Sequence, residues 1–208
     1  MYGELGLGAR CVAKEPTIIN FQRKQRPFIT QISAGSSHSL LLSRQGRVFS
    51  FGSNRHGRLG LGDEEARIRP CPLVINNEKI VQVSAGDAHS LLLSSKGNVY
   101  SFGCGTHGQL GLANDHSNFN RPTLLHDFSN RVARICASHT RSRLLLKDGR
   151  VVLFGGDVGL SSSSSSSICS DRSKEKKSES EKEMKCSGNS VGAVGTRLIL
   201  PEFTWGTW

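Results

Sequence analysis

The chain has 208 residues, 36% hydrophobic, with 23 glycines, a formal net charge of +10 and a pI near 9.7. No apolar run approaches the roughly 18 residues of a membrane span, and Met1-Tyr2-Gly3-Glu4-Leu5-Gly6 has neither the basic nor the apolar region of a secretory signal. Six cysteines without a C-x-x-C pair fit neither a zinc site nor a disulfide scaffold, so the expectation is an intracellular protein of cytoplasm or nucleus, with no membrane, metal or cofactor.

In chain order, the opening phrase Tyr2-Gly3-Glu4-Leu5-Gly6-Leu7-Gly8 returns as His56-Gly57-Arg58-Leu59-Gly60-Leu61-Gly62 and as His107-Gly108-Gln109-Leu110-Gly111-Leu112-Ala113. Thr17-Ile18-Ile19 and Phe28 to Ile32 read as short strands. Ile32-Ser33-Ala34-Gly35-Ser36-Ser37-His38-Ser39-Leu40-Leu41-Leu42 then leads through Gln45-Gly46 into Val48-Phe49-Ser50-Phe51-Gly52. Two β-favouring runs joined by a glycine turn predict a hairpin. In its second arm Val48, Ser50 and Gly52 fall on one face, and Phe49 and Phe51 on the other. Leu73-Val74-Ile75 predicts a further strand, which Pro70 and Pro72 restrict to a sheet edge or a strand entry. Lys79 to Val83 predicts another.

The same series then repeats. Val83-Ser84-Ala85-Gly86-Asp87-Ala88-His89-Ser90-Leu91-Leu92-Leu93 lies 51 residues after its first copy, counting from Ile32 to Val83. Gly97 to Gly103 follows as the second hairpin arm, with Thr123-Leu124-Leu125 after Pro122 as the next short strand. An eroded third copy runs from Ile135 to Leu146, where Arg141 stands in the histidine position, and continues through Val151 to Gly155. Seven serines then begin at Ser161, and from Ser161 to Ser187 there are six Lys/Arg against five Asp/Glu. That stretch nets +1, so +9 of the +10 belongs to the remainder of the chain. It cannot bury a core and is expected to be disordered.

Four short strands in about 51 residues describe a propeller blade. The predicted fold is all-β: an incomplete β-propeller of about three four-stranded blades with a disordered insertion. Residues 1–45 form a partial first repeat, 46–96 and 97–148 two repeats, and 149–160 the start of a degenerate one. Residues 161–190 are the insertion, and 191–208 a returning strand. Closed propellers have about four to eight blades, so missing repeats or another chain would complete the ring.

These phrases resemble the repeat of the regulator of chromosome condensation family, in which A-G-x-x-H-S-L-x-L precedes G-x-V-Y-x-W/F-G-x-N-x-x-G-Q-L-G-L-G. The first copy matches through Ala34-Gly35, His38-Ser39-Leu40, Gly46, Val48, Phe51-Gly52, Asn54, Gly57 and Leu59-Gly60-Leu61-Gly62. The second matches through Ala85-Gly86, His89-Ser90, Gly97, Val99-Tyr100, Phe102-Gly103 and Gly108-Gln109-Leu110-Gly111-Leu112. The resemblance implies a β-propeller that binds a protein partner. Among such proteins are a guanine-nucleotide exchange factor for a small GTPase that also binds chromatin, ubiquitin ligases and trafficking proteins. No residue here aligns with the exchange element, and fold alone does not settle function.

His38 and His89 recur beside Ser39 and Ser90. Catalysis needs one constellation and not one per repeat, so no catalytic residue is assigned. Each histidine reads as buried and satisfying backbone groups within its blade. Gly35, Gly52, Gly86 and Gly103 read as scaffold positions for positive φ and close approach. Phe28, Phe49, Phe51, Phe102 and Phe154 read as inter-blade core. His56 and His107, with Arg55 and Arg58 beside the first, are variable polar residues in an otherwise fixed loop and are the candidate partner contacts. Ser178 and Ser180 each precede a glutamate by three residues, a phosphorylation pattern. The basic balance adds chromatin or nucleic acid as an alternative partner.

Overall fold

The structure, a computed structural model, describes residues 2–9, 12–21, 27–75, 78–112 and 116–156. The hairpin signal of each repeat becomes the centre of a sheet. β2 (His38–Ser43) turns through Gly46, at φ 81°, into β3 (Val48–Gly52), with the Ser43 amide donating to the Arg47 carbonyl at 2.9 Å. β1 (Ile29–Ala34) pairs with β2 on one side, and β4 (Arg67–Pro72) pairs with β3 on the other. The second repeat copies this with β5 (Ile80–Ala85), β6 (His89–Ser94), β7 (Val99–Gly103) and β8 (Phe119–Leu124). The third has β9 (Val132–Ser138), β10 (Arg141–Leu146) and β11 (Val151–Gly155). All pairings are antiparallel, giving two four-stranded sheets and one of three strands among the described residues. The register is shared: His38 faces Gly52, His89 faces Gly103 and Arg141 faces Gly155. The architecture is an incomplete β-propeller.

Alternation along each strand splits its side chains between two inter-sheet cores. Leu40, Leu42 and Val48 of the first sheet meet Val83, Leu92, Tyr100 and Phe102 of the second. Leu91, Leu93 and Val99 on the second sheet's other face meet Val132, Ile135 and Leu144 of the third. Leu40, Leu91 and Leu144 are each 0% exposed, and burying a leucine of this kind stabilises by about 1.5–3 kcal/mol. Leu41, Phe49 and Phe51 face away from the second sheet, toward Ile19 and Phe21. The predicted split of Val48 from Phe49 and Phe51 therefore separates two different cores.

Several expectations change. The outer strand is Arg67–Pro72, not Leu73 to Ile75, and it contains both prolines. As the outermost strand it needs hydrogen bonds on one side only, which accommodates proline. Leu73 extends the pairing by one bond, its amide donating to Val48 at 2.9 Å. β8 likewise begins earlier than predicted, at Phe119. Thr17 to Ile19 forms no strand. Phe28 is not core: it precedes β1 and is 65% exposed. The expected insertion, the returning strand at 191–208, Ser178 and Ser180 lie outside the described residues. No helix among the described residues is long and apolar enough to cross a membrane.

Candidate functional site

The repeated histidines lie between sheets, and their bonding corrects the sequence reading. His38 Nε2 lies 2.9 Å from Ser90 Oγ of the next sheet, and His89 Nε2 lies 2.9 Å from Ser142 Oγ of the one after. Their partners are thus side chains of the adjacent blade, not backbone groups of their own. Ser90 Oγ donates to the Arg58 carbonyl at 2.9 Å, and Ser142 Oγ to the Gln109 carbonyl at 2.7 Å. A hydroxyl has one proton to give, so each serine must accept from Nε2–H, which fixes the histidine tautomer. The unprotonated Nδ1 atoms are buried with no partner. Protonating them would place a second N–H where nothing accepts it. Burial, and then the charge of Arg58, push His38 down to about 3. Burial pushes His89 down to about 4, against the opposing effect of Asp87.

Gly35 and Gly86 make room for these rings. A Cβ on Gly35 would lie 2.3 Å from the Gly86 carbonyl oxygen and 2.4 Å from the His38 ring, and one on Gly86 would lie 2.2 Å from the His89 ring. Neither glycine has a positive φ, so close approach alone explains them. Gly52 and Gly103 do require the left-handed region, both at φ 106°. The His–Ser pairs are buried and form a structural ladder between blades.

The loop after β3 is organised by Asn54. Its Oδ1 accepts from the Leu59 amide at 2.9 Å, and its Nδ2 donates to the Asp63 carbonyl at 2.8 Å. Within it, Arg55–Gly57 forms a single 3₁₀ turn with His56 at φ 63°. No α-helix follows, as a phosphate-cradling loop would need. Arg55 is exposed and His56 half-buried, its Nδ1 accepting from Asn118 Nδ2 at 3.2 Å. His107, in the next copy, is half-buried, with Nδ1 3.0 Å from Thr106 Oγ1.

Arg58 differs from its neighbours. It is 6% exposed, and its Nη1 donates to Ser37 Oγ at 2.8 Å and to the Asp87 carbonyl at 3.1 Å, tying two blades together. Burial lowers its pKa from the ordinary arginine value. It therefore belongs to the scaffold, while Arg55, His56 and His107 are left at the surface.

Through Arg58 these loops join a second surface feature that the sequence reading missed. Asp87 Oδ2 and His139 Nδ1 pair at 2.6 Å, and Ser36 Oγ donates to the Asp87 carbonyl at 2.7 Å. Ser36, Asp87 and His139 occupy one variable position of the repeat, so the signal lay in the unspecified residues of A-G-x-x-H. Among the described residues no group of His, Cys, Asp and Glu could hold a metal, and Cys71, Cys104 and Cys136 are free thiols.

The model of the regulator of chromosome condensation (RCC1) repeat matches residues 1–42, 45–93 and 96–143. The chain belongs to the RCC1-repeat family. A second RCC1-repeat model matches residues 29–58 and 80–109. Among relatives, the chain is 33% identical over 169 residues to the probable E3 ubiquitin-protein ligase HERC4 of Homo sapiens, covering 78% of this chain and 16% of that protein. It is 36% identical over 114 residues to Protein RCC2 of Homo sapiens, covering 54% of this chain and 22% of that one. Among solved structures, human WBSCR16 superposes with a TM-score of 0.64 at 25% identity, over 78% of this chain and 43% of that one. Yeast RCC1 (Prp20), in a crystal with Kap60, superposes with a TM-score of 0.57 at 23% identity, over 62% of this chain and 32% of that one. The RCC1-repeat segment described here thus spans a fraction of each relative. In it, the Ala-Gly-x-x-His phrase supplies the glycine seats and the His–Ser ladder, and the phrase through Asn54 shapes the loop after β3.

Proposed function

We propose that this chain is a protein-binding propeller scaffold that meets its partner through the loops carrying Arg55, His56 and His107. One observation carries the reading. Arg55 is exposed and His56 and His107 are half-buried, on loops pinned by the Leu59-to-Asn54 and His107-to-Gln109 amide hydrogen bonds. Loops on a rigid support are where recognition residues concentrate. The likeness to an E3 ligase over most of the chain supports a role in engaging protein targets within a larger protein. To test it, a photocrosslinking residue replaces Arg55 or His107 in the full chain. Discrete adducts should form with one protein and be competed by wild-type chain but not by R55A/H56A/H107A. Competition by that variant would reject the site.

One finer form of this reading is nucleotide exchange on a small GTPase, in which loop contacts would loosen the bound nucleotide without making covalent bonds. Release of labelled GDP from a panel of small GTPases, unaccelerated at saturating chain, would remove it. A second reading, contact with chromatin or nucleic acid, is favoured by the +9 charge lying outside residues 161–187. It requires affinity for duplex DNA that falls linearly with log salt, by about 0.9 per phosphate contact, whereas a protein interface with few ion pairs changes little.

A further inference from the structure

The face that each sheet turns toward its successor is built to one plan in the first two blades and to another in the third. On the second sheet this face carries Gln82, His89, Leu91, Leu93, Val99 and Ser101. His89, Leu91, Val99 and Ser101 are each 0% exposed beneath the third sheet or its flanking loop. Gln82 exchanges two hydrogen bonds with the Ile135 backbone, at 2.8 and 3.0 Å. The first sheet does the same with Gln31 and Val83, both at 3.0 Å.

Strand register locates the equivalent positions in the third sheet. Arg143 pairs with Cys136 and Leu153 as Leu91 pairs with Ser84 and Ser101, and Leu145 pairs with Arg134 and Val151 as Leu93 pairs with Gln82 and Val99. Arginine has therefore replaced glutamine at 134, histidine at 141 and the central core leucine at 143. Cysteine and leucine have replaced the serines, at 136 and 153. Arg134, Cys136 and Arg141 are exposed, Val151 is 50% exposed and Leu153 is 60% exposed. Neither the Arg134 nor the Arg141 side chain has an ion pair or hydrogen bond among the described residues, and the Arg143 side chain has only Ser138 Oγ, at 3.2 Å.

An ordinary repeat cannot cover this face as the third sheet covers the second. The residues that the pattern would bring over it are the counterparts of Ile80, Val83, Ala85, Leu92, Tyr100 and Phe102, with Ser90 beside them and no acidic group among them. They would bury a guanidinium at the Arg143 position with no counter-charge, which is strongly unfavourable. The occupant must supply carboxylates for three arginines together with apolar groups for Leu145, Val151 and Leu153. A phosphate backbone would meet the charges and leave the apolar side chains bare. The chain's own stretch from Ser161 to Ser187 has six basic residues to five acidic and offers no acidic excess.

We propose that the outer face of the third sheet is a docking surface for an acidic polypeptide. Its carboxylates pair with Arg134, Arg141 and Arg143, and its apolar side chains cover Leu145, Val151 and Leu153.

The test uses the full chain and a fluorescent peptide of alternating glutamate and leucine, followed by anisotropy beside a lysine–leucine peptide and duplex DNA. Wild type should bind the glutamate peptide in preference to the lysine peptide. R134Q/R141H/R143L, which restores the residues of the second sheet, should weaken glutamate-peptide binding about tenfold, as the loss of several partly exposed ion pairs implies. R141E/R143E should do the same and gain affinity for the lysine peptide, which a misfolded variant would not. Equal binding of both peptides by wild type, unchanged affinity in both variants, or no gain for the lysine peptide would overturn the proposal. So would DNA binding that falls in these variants while glutamate-peptide binding does not.

Discussion

Acidification probes the inter-blade ladder directly. The folded chain holds His38 and His89 neutral, with pKa values of about 3 and about 4, whereas an unfolded histidine titrates near 6.5. Each folded value lies below the unfolded one, so below about pH 6.5 the unfolded chain takes up protons that the fold refuses. Stability is therefore full above that pH and declines as pH falls toward the folded values. The slope is about 1.4 kcal/mol per pH unit for each histidine, so between about pH 8 and pH 5 each costs roughly 2 kcal/mol and the pair roughly 4. A small domain has about 5–15 kcal/mol in all, which makes this a large fraction. Urea titrations followed by far-UV circular dichroism across that range measure it. The control is His38→Gln with His89→Gln, which keeps an N–H donor near each serine and removes the titrating ring. Its stability should change with pH by roughly 4 kcal/mol less than wild type, as loss of the two histidine contributions requires. A flat wild-type profile, or an equal decline in the double variant, would refute the ladder argument.

Ser39 and Ser90 share one repeat position and should rank by their surroundings. Ser90→Ala strands the buried His38 N–H and the Arg58 carbonyl and should cost about 1–3 kcal/mol. Ser39→Ala removes only a bond from a half-buried hydroxyl to the Glu4 carbonyl, 3.0 Å long, and should cost less than about 1 kcal/mol; equal urea midpoints would contradict the ranking. The paired arginines should also separate. Arg58→Ala strips the bonds to Ser37 and Asp87 and should lower stability by about 1–3 kcal/mol, whereas Arg55→Ala at the surface should stay within about 0.5 kcal/mol.

Much of the fold was legible because period-2 alternation and glycine turns are local signals. Leu40 to Leu42 and Val48 to Gly52 name a hairpin, and its return 51 residues on names a blade. The outer strand was less legible. Arg67 to Pro72 contains two prolines, which argue locally against a strand, and only its place at a sheet edge makes them acceptable. Of the candidate loop residues, Arg55 and Arg58 look alike in the sequence. Which one is buried depends on where Ser37 and Asp87 come to lie, and those residues belong to other blades.

The amino-acid order by itself determined the repeat, its family and its register, since these rest on spacing along one chain. Only the tertiary structure decided what the repeated residues do. His38 finds its acceptor 52 residues away, on Ser90, and Gly35 has its shape because of Gly86 in the next blade. Arg143 is an ordinary surface residue by its sequence. It becomes a break in the packing plan once strand pairing places it where Leu40 and Leu91 form the core. Contacts between blades join residues that no local period relates, and burial, proton affinity and partner surface all arise from those contacts.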